Sequence, residues 1–261
     1  MRRLETSLAL TLALPLALTA QEARPLPELR AAPDPAIRLL HFGTINRDDA
    51  LNGRASIPEG WEEIQFTGDR VTQYRAGPAM GQMAICSTSK ASASALAMEV
   101  AYDPEDYPTL TFWLRVEETV QGGDLSNKDG DDFAARIFVN FAFESDKEGV
   151  FSRLSHTLAE GIRGRRLPGR VLNYVWGNVA PVGTQAESAF SDRVSMVVVR
   201  SGSEAHSGWQ RIERDIVADY EAAFASLPPM VTGVGIMTDS DNTGTEAAAC
   251  FGEILAIRGR P

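Results

Sequence analysis

Two short stretches gather the side chains that could do chemistry. The first, Lys128-Asp-Gly-Asp-Asp-Phe-Ala-Ala-Arg136, collects Asp129, Asp131 and Asp132, with Asp124 just upstream, ahead of one arginine. Carboxylates crowded into one loop repel each other unless a cation offsets them, so the cluster requires a metal or a charge network using Lys128 and Arg136. The second, Asp239-Ser-Asp-Asn-Thr-Gly-Thr245, sets oxygen ligands at alternate positions ahead of Gly244, as a chain does when it begins to wrap calcium. Where such a loop needs a chelating glutamate this chain has Cys250, and the flanks have strand character, so a helical calcium hand is excluded. Asp131, Asp132, Asp239, Asp241 and Asn242 remain the oxygens from which a structural calcium site could be assembled. The competing reading is a turn whose Asp and Asn side chains bond their own backbone. Along a regular strand Asp132 and Arg136 would lie about 13 Å apart, so Arg136 is expected to meet an acid from a neighbouring strand or from the loop.

A second kind of chemistry is recognition by flat aromatic and amide surfaces. Trp113, Arg136, Asn140, Asn173, Tyr174 and Trp176 combine rings with planar polar groups and form the candidate ligand set. Parity limits it: Asn173 and Trp176 point to opposite faces of a regular strand and share one groove only across a bulge. Catalytic signatures are missing. There is no G-x-S-x-G elbow or phosphate loop, and Gly233-Val-Gly235 lacks the third glycine of a dinucleotide turn. His41, His156 and His206 have no zinc-like spacing. A pair of hydrolytic carboxylates would leave no sequence trace, since only their separation in space identifies them.

These residues must be positioned by strands. From Phe133, every second residue is apolar through Ile137, Val139, Phe141 and Phe143, a set expected to face a core, while Arg136, Phe138 and Asn140 face the other way. Thr109 to Glu117 alternates as cleanly, with Leu110, Phe112, Leu114 and Val116 opposite Thr111, Trp113 and Arg115. Further short strands are expected over 37–42, 61–66, 71–76, 82–87, 96–101, 171–176, 193–200, 209–216, 230–238 and 248–258, each bounded by turn formers. One amphipathic helix over 215–227, stopped by Pro228-Pro229, completes the pattern. About eleven or twelve strands without β-α-β alternation specify an all-β sandwich of the jelly-roll type.

The chain has 261 residues, and its first twenty carry a basic start, an Ala/Leu run and a small residue at Ala20, the pattern of a signal peptide. Residues 21–35, with four prolines, read as a linker, and 36–261 as a single domain. Without residues 1–20, which hold two arginines and one glutamate, 23 basic residues (25 − 2) face 34 acidic ones (35 − 1), a balance of −11. Such a charge repels phosphate backbones and anionic lipid, so nucleic acid is excluded as a partner, and no stretch of the mature chain is long enough to span a bilayer. Cys86 and Cys250 fit either one disulfide in an oxidising compartment or two buried thiols. Arg163, Arg165 and Arg166 lie in a glycine-rich excursion over 145–170, read as a solvated basic loop.

Lys128-Asp-Gly-Asp-Asp-Phe-Ala-Ala-Arg136, Leu172-Asn-Tyr-Val-Trp-Gly177 and Gly235-Ile-Met-Thr-Asp-Ser-Asp-Asn-Thr-Gly244 together resemble a bacterial family known as domain of unknown function 3047. Ser201-Gly202 and Arg214-Asp-Ile-Val-Ala-Asp-Tyr220 extend the resemblance in the same order. It implies an exported protein with a galactose-binding-like β-sandwich, and it assigns no catalytic residue. The expected function is a non-catalytic periplasmic or secreted module binding a glycan or another polyhydroxylated ligand. A two-carboxylate glycoside hydrolase on the same scaffold and a structural envelope protein are the alternatives.

Overall fold

The computed structural model describes residues 35–261, leaving out 44, 46, 53–56, 67–69, 145–168 and 203–207. The leader over 1–20 and nearly all of the linker and of the basic excursion lie outside the described residues. Among the described residues no helix is long and apolar enough to cross a membrane.

Among the described residues, thirteen strands build two stacked sheets. The first contains β1 (Ala36–Leu40), β3 (Gln73–Ala79), β4 (Gln82–Lys90), β6 (Thr109–Glu118), β11 (Gln210–Asp215) and β13 (Glu246–Ile257). Its order is β11-β6-β13-β4-β3, with β1 taking over from β4 along the far half of β13. The second contains β2 (Trp61–Gln65), β5 (Ala93–Tyr102), β7 (Arg136–Phe141), β8 (Val171–Gly177), β9 (Gln185–Ser188), β10 (Ser191–Ser201) and β12 (Val231–Asp239). Its order is β2-β5-β12-β7-β8-β10-β9, antiparallel throughout except for the β8–β10 pair. The protein is an all-β sandwich. The short edge strand β9 was not expected from the sequence, because Gln185-Ala-Glu-Ser188 has none of the β-branched or aromatic residues that mark a strand.

The main core fills the space between the sheets. Leu110, Phe112, Leu114 and Val116 of β6 and Ile137, Val139 and Phe141 of β7 all lie in it, as period-two alternation requires. A second apolar cluster covers the outer face of the other sheet, where Val171, Val175, Val194, Met196 and Val198 meet Leu125 and Phe133 from the loop between β6 and β7. Phe133 therefore does not continue the β7 pattern. The strand begins only at Arg136, because Phe133 exchanges its backbone bonds with Asp239 instead of a ladder partner: its N–H donates to Asp239 Oδ1 at 3.2 Å and its carbonyl accepts from Asp239 N–H at 3.2 Å. Phe143 is a second departure; it lies past the end of the strand, 47% exposed, with the Arg193 guanidinium 5.0 Å from its ring centroid.

The expected helix is present as α2 (Ile216–Phe224), shorter than predicted, together with a one-turn α1 (Arg47–Leu51). Asp215 caps α2 by accepting from Val217 and Ala218 N–H, and Ala225 ends it in the left-handed region at φ 51°. Ile216 and Tyr220 point into the sandwich, where Tyr220 packs 4.6 Å from Phe141 and 4.8 Å from Phe224. The helix thus closes one end of the core.

Candidate functional site

The two acidic stretches meet at one rim of the sandwich. Thr243 N–H donates to Asp132 Oδ2 at 2.6 Å, Asn242 N–H to Asp132 Oδ1 at 3.3 Å, and Asn242 Nδ2 to the Lys128 carbonyl at 2.9 Å. Arg136 sits at the centre. Its Nε donates to Asp239 Oδ1 at 2.8 Å and its Nη2 to Asp239 Oδ2 at 2.5 Å; Nη2 also reaches the Asp131 carbonyl at 2.5 Å, and Nη1 the Asp131 carboxylate at 3.4 Å. The Phe133 ring lies under the guanidinium at 4.6 Å. As expected, the arginine's partners come from a neighbouring strand and from the loop, while Asp132 is held by the turn.

The rim is short of positive charge. Burial pushes Asp239 up to about 7, against the pull of Arg136 and with the help of Asp132 and Asp131. Burial also raises Asp131 and Asp241, and in Asp241 the charge of Asp132 adds to it. Burial works to lower Arg136, but Asp239 and Asp131 outweigh it and hold the guanidinium charged. Four carboxylates share one buried cation.

Carboxylate oxygens of Asp132, Asp239 and Asp241 lie within 4.8 Å of one another, a spacing that oxygens around one hard cation could adopt. The donors already present compete with that use. Both Asp239 oxygens bond Arg136, and both Asp132 oxygens accept backbone N–H groups. Asp132 and Asp239 are 0% and 2% exposed, so the cluster does not present two open carboxylates across a cleft, as glycoside hydrolysis needs.

The aromatic set does not converge. Tyr174 and Trp176 are 0% exposed in the main core and offer no surface platform, because β8 turns its even-numbered residues inward. Tyr174 donates to Asp219 Oδ2 at 2.8 Å, and Arg214 Nε donates to the same oxygen at 2.9 Å, so the tyrosine anchors α2. Burial and then the charge of Asp219 keep its hydroxyl protonated. Asn173 points to the opposite face, as parity demands, but it too is buried, with Nδ2 3.1 Å from Met196 Sδ. Asn140 is half-buried on the outer face of β7, beside Gly233. Trp113 is half-buried on the outer face of the other sheet, its Cβ against Gly252.

A cleft of about 640 Å³ opens elsewhere, at the edge of the sandwich where Glu63 of β2 comes near outward residues of β3 and β4. Glu63, Gln73, Arg75 and Thr88 line it with exposed side chains, and Tyr74 and the buried Thr72, whose hydroxyl donates to the Thr238 carbonyl at 2.7 Å, form part of its wall. The Tyr74 hydroxyl donates to the Ser94 carbonyl at 2.5 Å and accepts from Thr238 N–H at 3.4 Å. Thr238 immediately precedes Asp239, so the cleft wall and the acidic rim bear on adjacent residues of β12. Cys86 also lines the cleft, bonded to Cys250 in the single disulfide. Sequence reasoning missed this site. Its only trace was Gln73 and Arg75, two outward polar residues two positions apart on a predicted strand.

The model of the family described as "Protein of unknown function (DUF3047)" matches residues 59–255. The chain belongs to that family. No curated protein matches the sequence. Among solved structures it is similar to the enzymatically active domain of bacteriophage CBA120 tailspike protein 4, at 11% identity and a TM-score of 0.37, over 85% of this chain and 21% of the tailspike chain. It is also similar to the xyloglucanase domain of NopAA, a type three effector from Sinorhizobium fredii in complex with cellobiose, at 12% identity and a TM-score of 0.39, over 78% of this chain and 96% of that one. The chain thus spans about a fifth of the tailspike structure.

The segments that carry the resemblance to the DUF3047 family pair off in space. Lys128–Arg136 joins Gly235–Gly244 through Arg136, Asp132 and Asp239, and Leu172–Gly177 joins Arg214–Tyr220 through Tyr174 and Asp219. Ser201-Gly202 belongs to the first assembly: a Cβ on Gly202 would stand 2.8 Å from the Asn178 carbonyl, and Asn178 Nδ2 bonds the Asp132 carbonyl at 3.2 Å. In this DUF3047 protein these segments make two charged clamps.

Proposed function

We propose that this chain is an exported binding module whose ligand, a glycan or another polyhydroxylated molecule, sits in the cleft between β2 and β3. The observation that carries the reading is the composition of that cleft. An amide (Gln73), a guanidinium (Arg75), a carboxylate (Glu63) and the Thr88 hydroxyl stand exposed together, with Tyr74 half-buried beside them. Planar polar groups offer paired donors and acceptors that match vicinal hydroxyls. A volume of about 640 Å³ falls in the range of small-ligand sites. Export is supported by the leader pattern over 1–20 and by a disulfide that suits an oxidising compartment.

The test is a glycan array followed by titration calorimetry on the mature chain. Binding to a hit weakened about tenfold in both Gln73→Ala and Arg75→Ala, with unchanged melting temperature, is the expected result. No binding to any glycan at high protein concentration, or a hit indifferent to both substitutions, removes the reading. N-terminal sequencing of the exported protein should begin at Gln21.

A further inference from the structure

We propose that Cys86–Cys250 is an exchangeable disulfide and that Cys86 is the sulfur at which a small thiol enters, making it a site of reversible mixed-disulfide formation. The proposal does not depend on any ligand for the cleft.

The two cysteines are directly opposed on β4 and β13, in a ladder that runs from Lys90–Glu246 to Ile85–Phe251. The bond therefore joins strands whose backbones already hold each other, and opening it leaves that ladder in place. Ile85 and Phe251 point into the main core, so Cys86 and Cys250, one position on, face outward. Their cover is unequal. Cys250 is 2% exposed, whereas Cys86 is half-buried and forms part of the cleft wall, so a thiol arriving through the cleft meets Cys86.

Charge along the row favours the exchange. Arg75 lies directly opposite Cys86 on β3, and Arg115 directly opposite Cys250 on β6, so four consecutive strands carry Arg, Cys, Cys, Arg in register. Side chains at directly opposed positions start about 5 Å apart at Cβ. Arginine side chains rooted beside the two sulfurs supply the positive charge that favours a thiolate, and Arg75 is exposed in the cleft where an incoming thiolate must pass.

The chemistry balances with a low-molecular-weight thiol as co-reactant. Its thiolate attacks Cys86 Sγ, the Sγ–Sγ bond breaks, and the electron pair leaves on Cys250 Sγ, giving a mixed disulfide at Cys86 and a thiolate at Cys250. A second thiolate attacks the small-molecule sulfur of that mixed disulfide and releases Cys86 as thiolate. The net change is one protein disulfide and two thiols to one protein dithiol and one small disulfide, with protons exchanged with solvent.

The test uses the folded mature chain, millimolar reduced glutathione as the thiol, acid quenching, alkylation and peptide mapping, with circular dichroism recorded in parallel. The expected result is glutathione on Cys86 ahead of Cys250 while the strand signal is unchanged. Arg75→Gln should slow the reaction about threefold or more without moving the melting temperature, a change that a purely structural bond would not show. The proposal is overturned if the bond opens only in denaturant that unfolds the chain, or if Cys250 acquires the adduct first. Should Cys250→Ser fold, oxidised glutathione must modify its Cys86 under native conditions; failure to do so also overturns it.

Discussion

Arg136 and Asp239 are diagonal neighbours on one face of a sheet. Arg136 at the start of β7 is directly opposite Met237 on β12, and Asp239 stands two positions further, close enough for both carboxylate oxygens to accept from one guanidinium. A long side chain can bridge such a diagonal, and here it also reaches back to Asp131. One arginine therefore fixes the end of β12, the start of β7 and the loop before it.

Removing that arginine should cost far more than an exposed ion pair is worth. Arg136→Met leaves Asp239 and Asp131 buried without their cation, and we expect a loss of about 3–5 kcal/mol in urea unfolding. A loss below about 1 kcal/mol would mean that the rim does not depend on the guanidinium.

Stability should fall as pH rises toward neutrality. Asp239, Asp131 and Asp241 all have folded-state pKa values raised above their ordinary ones, so between about pH 4 and 7 the folded chain binds protons that the unfolded chain has released. This contribution is complete below the unfolded pKa and is lost as pH passes through about 7, the value for Asp239. Melting temperatures measured at pH 5 and pH 8 should differ in favour of pH 5, and Asp239→Asn should reduce the difference.

Chelation is expected to leave the melting temperature unchanged. A divalent ion between Asp132, Asp239 and Asp241 would be set against Arg136, which already bonds both Asp239 oxygens. A drop of several degrees on adding chelator, reversed by calcium, would show that the cluster takes a metal in addition to its arginine.

Tyr174→Phe should loosen the helical end of the sandwich. It removes a donor from Asp219, which keeps Arg214, so a loss of about 1.5–3 kcal/mol is expected. Hydrogen exchange should rise first in α2 (Ile216–Phe224). Unchanged exchange there would separate Tyr174 from the anchoring of the helix.

Gly123 should tolerate no side chain. A Cβ there would lie 1.9 Å from Asn178 Nδ2 and 2.8 Å from the Asp132 carbonyl, so Gly123→Ala must displace the loop. The double variant with Asn178→Ala should recover part of the lost melting temperature, since it removes the nearer of the two clashes but not the backbone one.

Periodicity and composition were enough to place most of the strands, the all-β class and the helix before Pro228-Pro229, because each depends on neighbours along the chain. β6 shows this most plainly: alternating apolar residues became a buried face with no correction. Local pattern also indicated that Arg136 needed an acid from elsewhere, since strand rise put Asp132 out of reach. It could not say which acid. That choice, the burial of Tyr174 and Trp176, and the turning of Phe133 to the outer face follow from which strands lie side by side. The cleft is the extreme case. Glu63 on β2 and Arg75 on β3 line one opening because the two sheets leave their edge strands beside each other there, a relation between separate sheets that residue spacing along the chain does not encode.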